Sequence, residues 1–271
     1  MFWGDIMIKN IKLFPNNNVK SMECVQLIKD KFTSRGFVIT DDNFDLGIAI
    51  GGDGSFLRMV QDCNFNSNVS YIGVNTGTLG FLQEVGVSEI DDLITELEMG
   101  KFKIEDIGIQ ETDICFKWGK YSYQSLNEIV LREYDLGILR CDVNVDGNLL
   151  EHYVGDGMLI ATSTGSTAHN LSYGGSIVYN TFSSLQITPI GPINSRVYSS
   201  LMNSVIIPSQ MDVSIIPYMD KRGFLITIDG VPYSYTGVDR ITTKIGDKKI
   251  KCLRLNKYNF PQKINEKMLN K

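Results

Sequence analysis

Apolar residues recur with two different spacings along the chain, and the spacing changes near residue 106. In the first part, short apolar runs such as residues 46–50 alternate with segments such as residues 90–97, in which apolar side chains fall three or four positions apart. The first spacing is typical of strands buried on both faces, and the second of amphipathic helices. Residues 1–105 therefore predict an α/β domain with a doubly wound, mostly parallel sheet.

After residue 106 the chain consists of short segments of strand character, separated in several places by Asp-Gly or Gly-Asp turn pairs at 146–147, 229–230 and 246–247. This density of strands predicts a β-sandwich-like, all-β domain over residues 106–249. Residues 181–202 show no legible pattern. We expect strands at 112–118, 121–126, 138–145, 149–154, 157–163, 203–207, 211–216, 223–228, 231–236, 238–245 and 248–255.

A strand, a turn and a helix start follow one another within residues 48–59, and Gly51, Gly52 and Gly54 surround Asp53 in the turn. Glycines leave backbone N–H groups unshielded at a helix N-terminus, which favours an anion such as phosphate. A carboxylate at this place indicates either a ligand for Mg²⁺ or an acceptor for the proton of an attacking hydroxyl. The alternative is a structural turn in which Asp53 caps the helix.

The sequence lacks two other nucleotide-binding motifs. A dinucleotide-binding fingerprint needs a third glycine where Leu57 stands and an acidic residue after the next strand, but that strand closes with Asn75-Thr76-Gly77. A Walker A run occurs nowhere in the sequence. The loop at 75–81 is instead a second glycine- and hydroxyl-rich segment, and we expect it at the same sheet edge as the first, because ligands gather at the carboxyl ends of parallel strands.

Polar residues also interrupt the second domain. Asn127 can pair with the N6 and N7 edge of adenine, and the carboxylate of Glu128 can accept hydrogen bonds from ribose hydroxyls. The alternative for this pair is a solvated strand edge or a bulge. Asp156, flanked by glycines, precedes a polar tract at 161–170 that is longer than a turn needs, which favours a ligand cradle over a self-satisfied, hydroxyl-rich turn. Composition alone would make His169 a surface histidine.

Charge and cysteine content narrow the class of function. The formal net charge of −5 argues against nucleic-acid or anionic-membrane partners, because no basic patch is available to neutralise phosphates. Five scattered cysteines with no Cys-x-x-Cys pair predict reduced thiols and a cytoplasmic location, and two histidines make a histidine-based zinc or iron site improbable. We expect no signal peptide and no membrane segment.

In this order and spacing, the residues resemble the NAD kinases over nearly the whole chain. The resemblance rests on Gly51-Gly52-Asp53-Gly54, Asn75-Thr76-Gly77 with Gly80-Phe81, Asn127-Glu128, and Gly155-Asp156-Gly157 with the run Thr164-Gly165-Ser166-Thr167-Ala168. It implies transfer of a phosphoryl group, with Mg²⁺, from ATP or another donor to the 2′-hydroxyl of the adenosine ribose of NAD, giving NADP. Two alternatives remain: a lipid kinase of the broader group that shares the first motif, and a non-catalytic NAD- or NADP-binding sensor.

The resemblance also assigns residues. Asp53 would be the catalytic acid, and the segment 250–271 would pack back on the first domain. Family members form dimers or tetramers, so we expect a homodimer or homotetramer. The sequence departs from the family at Ser163, where proline is usual, and at His169, where tyrosine is usual. Residues expected to bind nucleotide are Gly52, Gly54, Phe81, Asn127, Glu128, Asp156, Thr167, Ala168, His169 and Ser172.

Overall fold

The computed structural model describes residues 8–77, 80–135, 137–218 and 223–269. The chain forms two compact units: unit 1 comprises Met1–Ile107 with Lys249–Lys271, and unit 2 comprises Gly108–Lys248. Within the described residues, no helix combines the length and apolar character needed to cross a membrane.

The helices are α1 (Val19–Ser34), α2 (Asp53–Asp62), α3 (Ile90–Glu98), α4 (His169–Ser172) and α5 (Phe260–Ile264), with 3-10 turns at Val87–Glu89 and Thr164–Thr167 and a π turn at Asn265–Leu269. The strands are β1 (Asn10–Pro15), β2 (Val38–Ile39), β3 (Leu46–Gly51), β4 (Ser70–Asn75), β5 (Val85–Gly86), β6 (Phe102–Phe116), β7 (Gly119–Ser125), β8 (Glu128–Glu133), β9 (Leu139–Val145), β10 (Asn148–Thr162), β11 (Ser184–Pro192), β12 (Val205–Pro208), β13 (Val213–Pro217), β14 (Phe224–Ile228), β15 (Val231–Tyr235) and β16 (Arg240–Leu255).

Unit 1 is built on a parallel sheet in the order β4, β3, β1, β2, with the end of β16 parallel to β4 on its other side. Every residue of β3 and β4 is buried, as expected for parallel strands covered on both faces. The core joins Ile48 and Ile72 of these strands to Ile28 of α1, Leu93 of α3 and Leu253 of β16. The predicted α/β fold of the N-terminal part is confirmed.

Unit 2 is an antiparallel array in which β15, β14, β8, β10, β9, β13 and β16 are neighbours in that order. Strand β11 pairs with β10, and β12 pairs with β11. Buried apolar side chains from these strands, among them Leu131, Val143, Ile160 and Ile226, form one core. The predicted all-β character of the C-terminal part is confirmed.

Two details of the predicted strand pattern were wrong. The segments 149–154 and 157–163 form one continuous strand, β10, and 238–245 and 248–255 form another, β16, so the pair at 246–247 is not a hairpin turn. Glycine occurs at these places because a side chain on it would clash with a neighbour, and not because the chain turns there. A Cβ on Gly155 would lie 2.1 Å from the phenol oxygen of Tyr153, and one on Gly246 would lie 2.3 Å from Cδ of Glu111. In addition, β11 lies in the region without a legible pattern.

Candidate functional site

Asp53 is the first residue of α2, and its carboxylate points away from its own helix. The capping position is taken by Gly52, which forms no side-chain cap. The Asp53 oxygens accept instead from the backbone N–H groups of Phe81 (2.8 Å) and Leu82 (3.0 Å). The alternative in which Asp53 caps the helix is therefore wrong. Because each oxygen accepts one N–H here and a carboxylate oxygen has two lone pairs, both oxygens keep acceptor capacity.

The loop at residues 80–84 and the first glycine turn form one structure in unit 1. A Cβ on Gly80 would lie 1.7 Å from Oδ1 of Asp53, so only glycine lets the loop approach the carboxylate. Gln83 donates from Nε2 to the carbonyl oxygen of Gly52 at 2.8 Å. Phe81 is half-buried in this loop, and Gly54 is exposed in the first turn of α2. The predicted candidates of the first domain thus lie together.

An open cavity of about 360 Å³ adjoins this turn, lined by Asn18, Val19, Lys20, Gly52, Asn75, Thr76 and Gly77. It lies at the N-termini of both α1 and α2, where the unpaired N–H groups and the helix dipoles attract anions. Asn18 caps α1 by accepting from Ser21 N at 2.8 Å. The sequence interpretation did not include Asn18 and Lys20. The available signal was the asparagine run before α1, which is typical of a helix start.

The residues present in unit 1 suit Mg²⁺ held largely by substrate. No group of three or more His, Cys, Asp or Glu side chains that could hold a metal occurs among the described residues. Mg²⁺ is, however, commonly bound through one or two carboxylates together with phosphate oxygens and waters. Asp53, at a helix N-terminus suited to phosphates and with acceptor capacity left on both oxygens, fits that donor set.

In unit 2, the backbone around Asn127 and Glu128 is held by Asp229. Its carboxylate accepts from the N–H groups of Leu126 (2.7 Å), Asn127 (2.8 Å) and Glu128 (3.2 Å). Asp229 also forms the left-handed hairpin turn with Gly230, as the sequence predicts. Its second role, fixing the backbone of residues 126–128, was missed, because a turn motif does not show which backbone groups its acid reaches.

The side chains of Asn127 and Glu128 are buried, with 7% and 6% of their surface exposed. Yet Oδ1 of Asn127 and Oε2 of Glu128 have no hydrogen-bond partner in the part of the chain that the structure describes. Buried polar atoms in folded proteins are nearly always paired, so two unpaired acceptors on adjacent residues indicate a place that a polar ligand completes. This rules against the solvated edge considered from the sequence.

Burial raises the pKa of Glu128 to about 8, and the negative charge of Asp229 adds to the effect. The carboxyl group is therefore mostly protonated in the free protein near pH 7. A protonated carboxyl donates one hydrogen bond and accepts others, so Glu128 can meet a ribose hydroxyl in either sense.

We expect the proton on Glu128 to make the free energy of unfolding depend on pH. The pKa of Glu128 rises from 4.5 in the unfolded chain to about 8 on folding, so its stabilising contribution is complete below pH 4.5 and is lost as pH rises to 8. Over that window its part of the free energy of unfolding falls by up to about 1.4 kcal/mol per pH unit. Denaturant unfolding of the unsubstituted protein and of Glu128→Gln, at pH 5, 6.5 and 8, measures the difference in slope.

The control for this experiment is Glu23→Gln, on the exposed side of α1. We expect Glu23→Gln to keep the pH dependence of the unsubstituted protein, and Glu128→Gln to show a flatter one. Equal slopes in all three proteins would mean that Glu128 is ionised in the folded state.

The polar tract after β10 packs directly on Asn127. Thr162 N donates to the carbonyl oxygen of Asn127 at 2.8 Å, and a Cβ on Gly165 would lie 2.1 Å from that oxygen. The 3-10 turn Thr164–Thr167 then leads into α4. Thr167 and Ala168 are half-buried, whereas His169 and Ser172 are exposed. The structure therefore places the start of the tract, at Thr162 and Gly165, against Asn127, and Thr167 and Ala168 follow Gly165 by two and three residues.

Several hydroxyls and amides of the tract serve the fold. The fully buried Asn170 bonds to Gln186 and Thr188, and Ser166 bonds to both backbone groups of Val178. Ser163, which replaces the usual proline, donates to the carbonyl oxygen of Phe182 and accepts from Ser184 N at 3.2 Å. This loop is therefore fixed by side-chain hydrogen bonds where the resemblance led us to expect a proline.

His169 lies beside an aromatic and a cationic neighbour. Its ring centroid is 5.0 Å from that of Tyr173, and Tyr173 accepts a hydrogen bond from Arg132. Burial and the charge of Arg132 lower the pKa of His169, which favours a neutral imidazole at pH 7. A neutral ring of this kind can stack on a base, although more than a third of its surface remains in water.

Asp156 lies apart from the other unit 2 candidates. It is exposed in the middle of β10, five residues before Ala161, which pairs with Glu128. At a rise of about 3.3 Å per residue, that is roughly 17 Å along the strand. Asp156 instead contacts Gly191, where a Cβ would lie 2.3 Å from Oδ2. The sequence motif alone did not show this separation.

The two family models that match this chain and two relatives similar to it in sequence all represent NAD kinases. The model of the ATP-NAD kinase N-terminal domain matches residues 9–102, and that of the ATP-NAD kinase C-terminal domain matches residues 126–255. An NAD kinase of Finegoldia magna is 37% identical over 269 residues, which cover 96% of this chain and 98% of that protein. An NAD kinase of Streptococcus pneumoniae is 32% identical over 244 residues and 89% of each chain.

Two solved structures are similar in fold. Yeast NADH kinase complexed with NADH superposes with a TM-score of 0.82 at 20% identity, covering 97% of this chain and 88% of that one. An NAD kinase from Archaeoglobus fulgidus in complex with ATP superposes with a TM-score of 0.74 at 19% identity, covering 92% and 94%.

Proposed function

The chain belongs to the NAD kinase family, and we propose that it transfers the terminal phosphoryl group of ATP to the 2′-hydroxyl of the adenosine ribose of NAD, giving NADP. The observation that carries the chemistry is the carboxylate of Asp53, held by Phe81 N and Leu82 N at the phosphate-attracting start of α2. Phosphoryl transfer needs positioning and charge neutralisation more than covalent catalysis, and this arrangement supplies both.

Unit 1 binds the phosphoryl donor in this proposal. The exposed Gly52 and Gly54 offer backbone N–H groups without side chains in the way, and the adjoining cavity carries the cation of Lys20. A triphosphate is the kind of anion that two helix N-termini and an ammonium group favour. Asp53 would hold Mg²⁺, which, when bound, neutralises charge on the phosphate oxygens.

Unit 2 binds the adenosine of NAD. The unpaired Oδ1 of Asn127 accepts from the adenine amino group, while Glu128 meets the ribose hydroxyls. The face of His169 stacks on the dinucleotide, and Thr167, Ala168 and Ser172 line the pocket of unit 2. Asp156, by its distance from Glu128 along β10, contacts a different part of the ligand.

Asp53 is the proton acceptor. When the 2′-hydroxyl attacks the terminal phosphorus atom of ATP, the bond from phosphorus to the bridging oxygen breaks and ADP leaves, while the hydroxyl proton passes to a free lone pair of the Asp53 carboxylate. The two backbone hydrogen bonds keep the carboxylate oriented. A carboxylate fixed in this way needs no side-chain rotation at the moment of reaction.

Two further properties belong to the proposal. A homodimer or homotetramer is supported by large apolar side chains exposed between residues 177 and 206, among them Phe182, Val197 and Met202. A cytoplasmic location is supported by the five cysteines, all of them free thiols.

Purified protein incubated with NAD, Mg²⁺ and ATP is expected to form NADP, detected by chromatography of the products. Diacylglycerol and sphingosine serve as parallel acceptors, because a lipid kinase is the competing assignment. Lipid phosphorylation without NADP would overturn the proposal, and binding of NAD without turnover under any donor would favour a sensor.

A further inference from the structure

The C-terminal segment of unit 1 packs against the loop that holds Asp53. Lys263, in helix α5, donates from Nζ to the carbonyl oxygens of Gln83 and, at 3.5 Å, of Phe81. We propose that Lys263 is a positioning residue for phosphoryl transfer, which acts on Asp53 through the peptide group joining Phe81 to Leu82. The proposal rests on the role of Asp53 given above and extends it to the far end of the chain.

Lys263 and Asp53 contact opposite ends of a single peptide group. The carbonyl oxygen of Phe81 and the N–H of Leu82 belong to the same planar unit. Lys263 approaches the oxygen of this unit, and Oδ1 of Asp53 accepts from its N–H at 3.0 Å. An ammonium at the carbonyl end and a carboxylate at the N–H end polarise a peptide in the same sense, so each strengthens the other's hydrogen bond. Lys263 thereby fixes the plane of the group that aims Asp53.

Lys263 is placed to hold this geometry firmly. Its side chain is 8% exposed and also lies 3.7 Å from Oε2 of Glu84. Burial lowers its pKa to about 8, against the opposing effect of the carboxylates of Glu84 and Asp53. The ammonium form therefore predominates at pH 7, where its attraction to two carbonyl oxygens in a water-poor site is strong.

The positive and negative side chains around Lys263, counting Lys263 itself, are equal in number. Arg254 donates to Glu105 at 2.7 Å and to Glu84 at 3.3 Å, and the ring of Tyr258 lies 4.7 Å from Nζ of Lys263. Two cations and two carboxylates thus form one buried cluster. Substitution of Lys263 alone leaves this cluster with an excess negative charge, so a loss of activity has to be separated from a loss of folding.

The test uses Lys263→Met, the double variant Glu84→Gln/Lys263→Met, and Lys257→Met as the matched control. The double variant restores the charge balance of the cluster but not the bonds to the loop. Lys257 lies in the same segment and forms an exposed ion pair with Glu89 (2.5 Å). Four quantities are measured at pH 7: the midpoint of thermal unfolding, kcat, KM for NAD, and the hydrogen-exchange rates of the Phe81 and Leu82 amides by NMR.

We expect both Lys263 variants to lower kcat by about 10- to 100-fold, the scale on which small misplacements of catalytic groups act. KM for NAD should change far less, and the Phe81 and Leu82 amides should exchange faster. Lys257→Met should match the unsubstituted protein. If Lys263→Met does not fold, the double variant is compared with the unsubstituted protein and with Lys257→Met instead.

Normal kcat in a folded variant lacking Lys263 would overturn the proposal, as would unchanged exchange of the two amides. The exchange measurement requires no catalysis. Failure of the unsubstituted protein to make NADP would instead overturn the proposed function, and the two failures are therefore distinguishable.

Discussion

Asp53→Asn is expected to lower kcat by about 10²–10⁴-fold, the range typical of losing a general base. The amide has the shape of the carboxylate but does not take up a proton from the 2′-hydroxyl. KM for NAD should change little, because the proposed adenosine contacts of Asn127 and Glu128 lie in unit 2. Steady-state rates with NAD as the varied substrate, together with calorimetric titration of NAD, measure both quantities.

The structure adds a second effect of this substitution. An asparagine amide accepts through only one of its terminal atoms, so one of the two bonds to Phe81 N and Leu82 N is lost. Asp62→Asn, at the exposed end of the same helix α2, is the matched control and should be neutral. Normal turnover by Asp53→Asn would contradict the assigned role. Loss of NAD binding without an effect on kcat would make Asp53 a structural residue.

Gly165→Ala is expected to damage the acceptor site of unit 2 more than any other single methyl group there. The new Cβ would lie 2.1 Å from the carbonyl oxygen and 2.7 Å from Cα of Asn127, and backbone at this distance has to move. The movement breaks the bond from Thr162 N to Asn127 and displaces the amide that meets adenine. We expect the free energy of unfolding to fall by about 3 kcal/mol and KM for NAD to rise more than about 10-fold.

Gly147→Ala is the matched control, because it makes the same chemical change in the same unit. Nothing lies within 4 Å of its added Cβ, and only the left-handed backbone, with φ at +75°, opposes alanine. That strain costs about 1–2 kcal/mol and should leave KM for NAD unchanged. Equal effects of the two substitutions on KM would show that Gly165 does not shape the acceptor site.

The fold was largely predictable because its two units use different hydrophobic periods. Apolar runs such as 46–50 and helical spacing such as 90–97 match β3 and α3 closely. The errors arose because glycine serves two purposes: it allows a turn, and it avoids a clash inside a crowded strand. Gly155 and Gly246 lie inside long strands, and glycine is needed there because a neighbouring side chain occupies the space that a Cβ would take. Sequence alone does not distinguish this use of glycine from its use in a turn.

The site was predictable as a set of residue types but not as a set of contacts. The motifs identified Asp53, Asn127 and Glu128, while the elements that hold them came from distant parts of the chain. Asp229 fixes the backbone at 126–128 across about a hundred residues, and Lys263 reaches the loop at 80–84 across about 180. Such partners lie in no local pattern, because their positions follow from tertiary packing alone.

The division of unit 1 between the two ends of the sequence bears on its synthesis. Leu253 and Leu255 belong to the same core as Ile72, and Lys251 pairs with Ser70 at the edge of β4. A ribosome adding about 5–20 residues per second reaches them roughly 7–30 s after residue 107. Until then Ser70 and Tyr71 form an open edge of the nascent sheet, because β5 pairs only with Val74 and Asn75 of β4. Such an edge can pair with other chains. Over that interval, unit 1 is therefore at its most vulnerable to aggregation and most in need of chaperone protection.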